Sequence, residues 1–132
     1  MDLINACQAK NADLALEILK QPNIDINMQD KDKHTALMHA CIYKLENVAL
    51  KILERTDINI NLQNKYGYTV LMYACLYKLD NAVLKILERT DININLQDKH
   101  GETSLMHACW CKLENIARFF KNRRFFKGND DI

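Results

Sequence analysis

The chain has 132 residues, 48% of them hydrophobic and 27% charged, with a formal net charge of +1. That length suits one domain with a modest core, and the near balance of charge excludes both a strongly basic polyanion binder and an acidic solvating chain. Nothing approaches the roughly 20 apolar residues of a membrane span, and Met1, Asp2 and Leu3 open no secretory signal, so we expect a cytoplasmic protein, or a nuclear one, or one exported into a host's cytosol.

The first predicted element is a short helix around Leu3, Ala6 and Cys7, and its residues recur as Leu37, Ala40 and Cys41. The phrase T-A-L-M-H-A-C at 35–41 returns thirty-four residues later as T-V-L-M-Y-A-C at 69–75, and again as T-S-L-M-H-A-C at 103–109. A fixed period of about 20 to 50 residues marks a repeat array, in which each unit buries its apolar face only against its neighbours. The period gives four units, at about 1–30, 31–64, 65–98 and 99–127, and a flexible tail at 128–132. The second and third agree at twenty-four of thirty-four positions, so the positions that differ are the informative ones.

Within a unit, Thr35, Thr69 and Thr103 each precede an apolar periodic run and are placed to cap a short first helix. A second helix is predicted over about 46–55, with Val48, Ala49, Ile52 and Leu53 on one side and Glu46, Lys51 and Glu54 on the other. The period then changes to two: Ile58, Ile60 and Leu62 alternate with Asn59, Asn61 and Gln63, which predicts an extended arm. Lys65, Tyr66 and Gly67 read as a projecting turn or hairpin.

These residues resemble the ankyrin repeat family over nearly the whole chain. The carrying features are G-x-T-x-L-x-x-A at 67–74 and 101–108, the I-L-E-R ending of the second helix, and the Ile-Asn pairs before each finger. The resemblance implies an all-α solenoid of helix-turn-helix units with projecting β-turn or hairpin fingers, the first and last units acting as caps. It also implies a protein-binding module that catalyses nothing. The family's usual histidine gives way to Met38, Met72 and Met106, for which methionine packing is expected, and its usual glycine to Lys44, Lys78 and Lys112, with Lys33 where Gly67 and Gly101 stand. In a left-handed backbone each lysine costs on the order of 1 kcal/mol.

Members of this family hold partners against the fingers and the exposed side of the first helix. The second unit offers Lys31, Asp32, His34, Ile42, Tyr43 and Arg55 there, and the third offers Lys65, Tyr66, Tyr68, Leu76, Tyr77 and Arg89. The fourth offers Lys99, His100, Glu102, Trp110 and Cys111. Asp32, His34, Ala36 and His39 become Tyr66, Tyr68, Val70 and Tyr73 in the third unit, whereas 50–63 recurs unchanged as 84–97, so variation is concentrated where a partner would touch. Ile42 with Tyr43, Leu76 with Tyr77 and Trp110 with Cys111 would form an apolar, aromatic strip suited to anchoring an interface. The expected state is a monomer, with self-association through the strip as the alternative.

Cys7, Cys41, Cys75 and Cys109 share one repeat position, and Cys111 is the fifth cysteine. Equivalent residues lie roughly 8 to 10 Å apart, beyond the ~7 Å of a disulfide, so they are expected reduced and in the core. His107, Cys109 and Cys111 invite a metal or nucleophile reading, but Cys109 lies roughly 200° around the helix from His107, and no group orients a thiol. No metal, cofactor or catalytic residue is expected. Arg118, Lys121, Arg123, Arg124 and Lys127 interleave with Phe119, Phe120, Phe125 and Phe126, a composition that can serve anionic membranes or nucleic acid. A cap helix burying Phe119 and Phe120 explains it more simply, so neither is expected as a partner.

Overall fold

The computed structural model describes residues 2–114, 116 and 118. Among them are seven helices: α1 (Leu3–Gln8), α2 (Ala12–Ile18), α3 (Ala36–Ile42), α4 (Glu46–Leu53), α5 (Val70–Leu76), α6 (Asp80–Leu87) and α7 (Ser104–Trp110). The first helices α1, α3, α5 and α7 stack in one layer and the second helices α2, α4 and α6 in another. The expected basic and aromatic segment beyond Arg118 and the tail at 128–132 lie outside the described residues. No described helix is long and apolar enough to cross a membrane.

Capping sets where the helices begin. The Thr35, Thr69 and Thr103 hydroxyls accept from the amides of Met38, Met72 and Met106, and in the first unit Asp2 accepts from the Asn5 amide at 2.8 Å. Each orphan amide so satisfied is worth about 1 kcal/mol. The first helices end in a Schellman turn: the Lys44 amide donates to the Cys41 carbonyl and the Leu45 amide to that of Ala40, with Lys44 at φ 58°. Lys78 and Lys112 repeat it, and Lys10 does so in the first unit, where the sequence had not marked it. The left-handed lysines are thus present, with Lys33 at φ 64°.

Val48, Ala49, Ile52, Ala82, Val83, Ile86 and Leu87 are fully buried between the layers. Burying the valine, isoleucine and leucine side chains among them supplies about 1.5 to 3 kcal/mol each, and the alanines less. The second helix stops at Leu53 rather than near 55 because Arg55 turns back, donating to Asp57 and to the Ile24 carbonyl of the preceding unit. Arg89 does the same with Asp91 and Ile58.

The arm departs from expectation. Ile58, Ile60, Ile92 and Ile94 are buried as the alternation required, yet no strand forms. Asparagines replace the ladder: Asn27 donates to the Asp57 carbonyl and accepts from the Asn59 amide, and Asn61 repeats this with Asp91 and Asn93. Side chains thereby satisfy backbone groups that a sheet would have paired. The fingers are tight turns joined by Lys65 N–H to the Asp32 carbonyl and Lys99 N–H to that of Tyr66, both at 3.0 Å.

Two interior assignments need correction. Met38 and Met72 are buried, but Met106 is 43% exposed, and Cys109 is exposed although Cys7, Cys41 and Cys75 are fully buried. No described unit packs on that side of α7. Burial raises the Cys7 thiol to about 11 and the Cys41 thiol to about 12, and it pushes Cys75 up as well. Only a thiolate is nucleophilic. Iodoacetamide should therefore label Cys109 and Cys111 in the native protein and the other three only on unfolding, as peptide mass spectrometry would show; native labelling of Cys41 would contradict the packing.

Candidate functional site

In the second, third and fourth units one side-chain hub ties the finger to the first helix. Asp98 Oδ1 accepts from the amides of His100 and Glu102, while Oδ2 accepts from His107 Nε2 at 3.1 Å. Asp30 serves the amides of Asp32 and His34 in the same way, and accepts from His39 Nε2 at 2.9 Å. In the middle unit Asn64 holds the amides of Tyr66 and Tyr68, and its Nδ2 donates to the Tyr73 hydroxyl at 2.7 Å. The exchange is complementary. A carboxylate faces an imidazole N–H, and an amide N–H faces a phenol oxygen.

This overturns part of the argument from variation. His39 and Tyr73 are 6% and 8% exposed, and Ala36 and Val70 are buried too. Their differences compensate Asp30 against Asn64 and internal volume, and report nothing about a partner. Comparing the columns 30/64/98 and 39/73/107 in the sequence would have revealed the pairing.

The hub links units as well. His34 Nε2 lies 3.2 Å from the Tyr73 hydroxyl and 3.2 Å from Asn64 Nδ2. The amide can only donate, so Nε2 accepts and the ring is neutral. Burial and then repulsion from His39 hold His34 below its usual 6.5. At Asp30 burial raises the pKa, but hydrogen bonds from His39 and from the His34 and Asp32 amides outweigh it and leave the carboxyl below 3.8. Both depressed groups contribute stability that is complete above the unfolded pKa and lost as pH falls through the folded one. Acid should therefore weaken the fold in two windows, from about pH 6.5 downward through His34, then below about 3.8 through Asp30 and Asp98. Urea unfolding at about pH 7.5 and about pH 5.5 should differ in wild type and differ less in His34→Gln; an unchanged difference would remove His34 from this role.

Around the hub, seven rings form a row across three units. Successive centroids from Tyr43 through His39, His34, Tyr73, Tyr68 and His107 to Trp110 are 6.2, 5.0, 6.0, 5.0, 5.5 and 5.5 Å apart. Tyr66, Tyr68, Tyr73, Leu76, Tyr77, Lys99 and His100 line a groove of about 440 Å³ beside the row. Tyr66 is 46% and Trp110 58% exposed. Lys31, Lys65, Lys99 and His100 are exposed, and Ile42, Tyr43, Leu76, Tyr77 and Glu102 half-buried. Cys111 is half-buried too, its Sγ 3.8 Å from the Leu76 carbonyl. Asp32 pairs with Lys65 at 2.8 Å.

Other sequence candidates are internal. His34 and Tyr68 are half-buried in the row. Arg55 and Arg89 fasten their loops to the preceding unit and do not line the groove. Donor atoms of Asp30, His34 and His39, and of Asp98, Glu102 and His107, lie within 4.8 Å of one another. The His34 and His39 rings stack at 5.0 Å with 25° between their planes, so their in-plane lone pairs run side by side rather than converging. The middle unit makes the same finger-to-helix link with Asn64 and Tyr73, so the link itself needs no carboxylate–imidazole pair.

Residues 3–98 and 50–129 match a family model described as ankyrin repeats in three copies. No curated protein matches the chain.

Proposed function

The chain belongs to the ankyrin repeat family, and from that premise we propose that it holds a protein partner in the groove formed by its fingers and first helices. Ankyrin repeats serve generally as protein–protein interaction modules. The observation that carries the choice of face is the row of rings, which ends in the exposed Trp110 and is flanked by the exposed Tyr66. Large aromatic side chains, already fixed by packing, lose little entropy on binding and dominate interface energetics. Inter-unit links through Asn27, Asn61, Gln29 and Gln63 hold adjacent units in register, so the surface is preorganised.

In this reading the protein is an adaptor, scaffold or inhibitor that works by display, without a cofactor. The reduced cysteine ladder suits a cytoplasmic setting. The test is a pull-down from a lysate of the producing cell, comparing wild type with Tyr66→Asp, Trp110→Asp after confirming equal circular dichroism and melting. A protein captured by wild type and lost from the variant supports the groove, and equal capture by both sinks it.

A further inference from the structure

The net charge of +1 conceals a sidedness around the groove. Every finger carboxylate beside it is already engaged: Asp32 by Lys65, and Asp30 and Asp98 by histidines and finger amides. Glu102 lies 3.8 Å from His107. By contrast Lys31, Lys33 and Lys99 on the fingers, and Lys44, Lys78 and Lys112 at the turns closing the first helices, have no carboxylate within 4.0 Å among the described residues. Lysines lean over the rings from both edges, with Lys10 Nζ 5.7 Å above Tyr43 and Lys65 Nζ 5.1 Å above Tyr66. Of the other described acids in no ion pair, Asp13, Glu46, Asp80 and Glu88 belong to the second helices or their ends, the layer behind, while Asp2 and Asp25 accept from the backbone amides of Asn5 and Asn27.

We infer that the partner segment is acidic, with Asp or Glu flanking apolar anchors, so that its carboxylates meet the two lysine edges while the anchors cover Tyr66, Tyr77 and Trp110. This rests on the groove being the binding face. An acidic segment meets lysines held in no ion pair, whereas a basic one finds only carboxylates already committed. Nucleic acid shares the charge and stacks on open ring faces, but His39, Tyr73 and His107 are each less than 9% exposed, which leaves only Tyr66 and Trp110 open among the tyrosine and tryptophan rings beside the groove.

The test selects a displayed library of random twelve-residue peptides on the full protein, on Lys78→Glu, Lys99→Glu, and on Tyr66→Ser, Trp110→Ser. The expected result is enrichment of acidic peptides with apolar residues, bound roughly tenfold more weakly by the charge-reversed variant and more weakly at high salt. Neutral or basic peptides lost only on Tyr66→Ser, Trp110→Ser would overturn the acidic inference and leave the groove standing. Peptides held equally by that variant would overturn both. No enrichment, or displacement of the peptides by a single-stranded oligonucleotide at equal ionic strength, also overturns the inference.

Discussion

Replacing Lys33, Lys44 and Lys78 together with glycine should raise the unfolding free energy by about 3 kcal/mol and the melting temperature by roughly 12 °C. All three sit at φ between 58° and 64°, where an L side chain crowds the following carbonyl. Each turn needs that geometry because the Schellman bonds or the finger turn would otherwise be lost. The substitution removes the Cβ and leaves the hydrogen bonds intact, at a modest cost from the greater freedom of glycine in the unfolded chain. All three lysines are exposed, and none has an ion pair among the described residues to lose. Lys44→Ala separates the causes: it removes the same charge and keeps the Cβ, so its stability should stay near wild type. An equal gain from alanine and glycine would show that charge repulsion, and not backbone strain, is what the lysines contribute.

The same lysines show what the sequence could reveal. Period, threonine caps and most of the buried faces are legible because each depends on residues near one another in the chain, read three or four times over; the left-handed turns follow from the family resemblance, which missed Lys10, and Met106 and Cys109 are exposed where the repeat put them inside. The arm was half legible. Alternation found its buried isoleucines, but the hydrogen-bond partners of its backbone are side chains thirty or more residues away, such as Asn27 for Asn59. The groove was least legible, since finger residues vary for two reasons that look alike in one sequence. His39 to Tyr73 is a change inside the hub, matched by Asp30 to Asn64 across nine residues, while Asp32 to Tyr66 puts an aromatic ring in the open. Only burial separates them.

Gly67 and Gly101 occupy one repeat position with similar backbones, φ 79° and 76°, and should nevertheless respond differently to alanine. At Gly101 a Cβ would meet nothing within 4 Å among the described residues, so only the left-handed strain applies, about 1 kcal/mol. At Gly67 it would lie 2.8 Å from the Asp98 Cα and 3.0 Å from the Lys99 nitrogen, both backbone atoms that cannot rotate away. The next finger must shift, and it is held by Lys99 N–H on the Tyr66 carbonyl and by Gln63 on the Gln97 carbonyl. The second unit bounds the cost. Lys33 carries a full side chain at this position with φ 64°, so the finger joint can open at some expense. Gly67→Ala should therefore cost about 2 kcal/mol, twice the loss at Gly101, or roughly 8 °C against 4 °C in melting. Because Tyr66 and Lys99 flank the displaced joint, Gly67→Ala should also weaken capture of the partner while Gly101→Ala leaves it unchanged. Equal melting losses in the two variants would mean that the fingers are not in rigid contact, and a preorganised groove could not then be built on them.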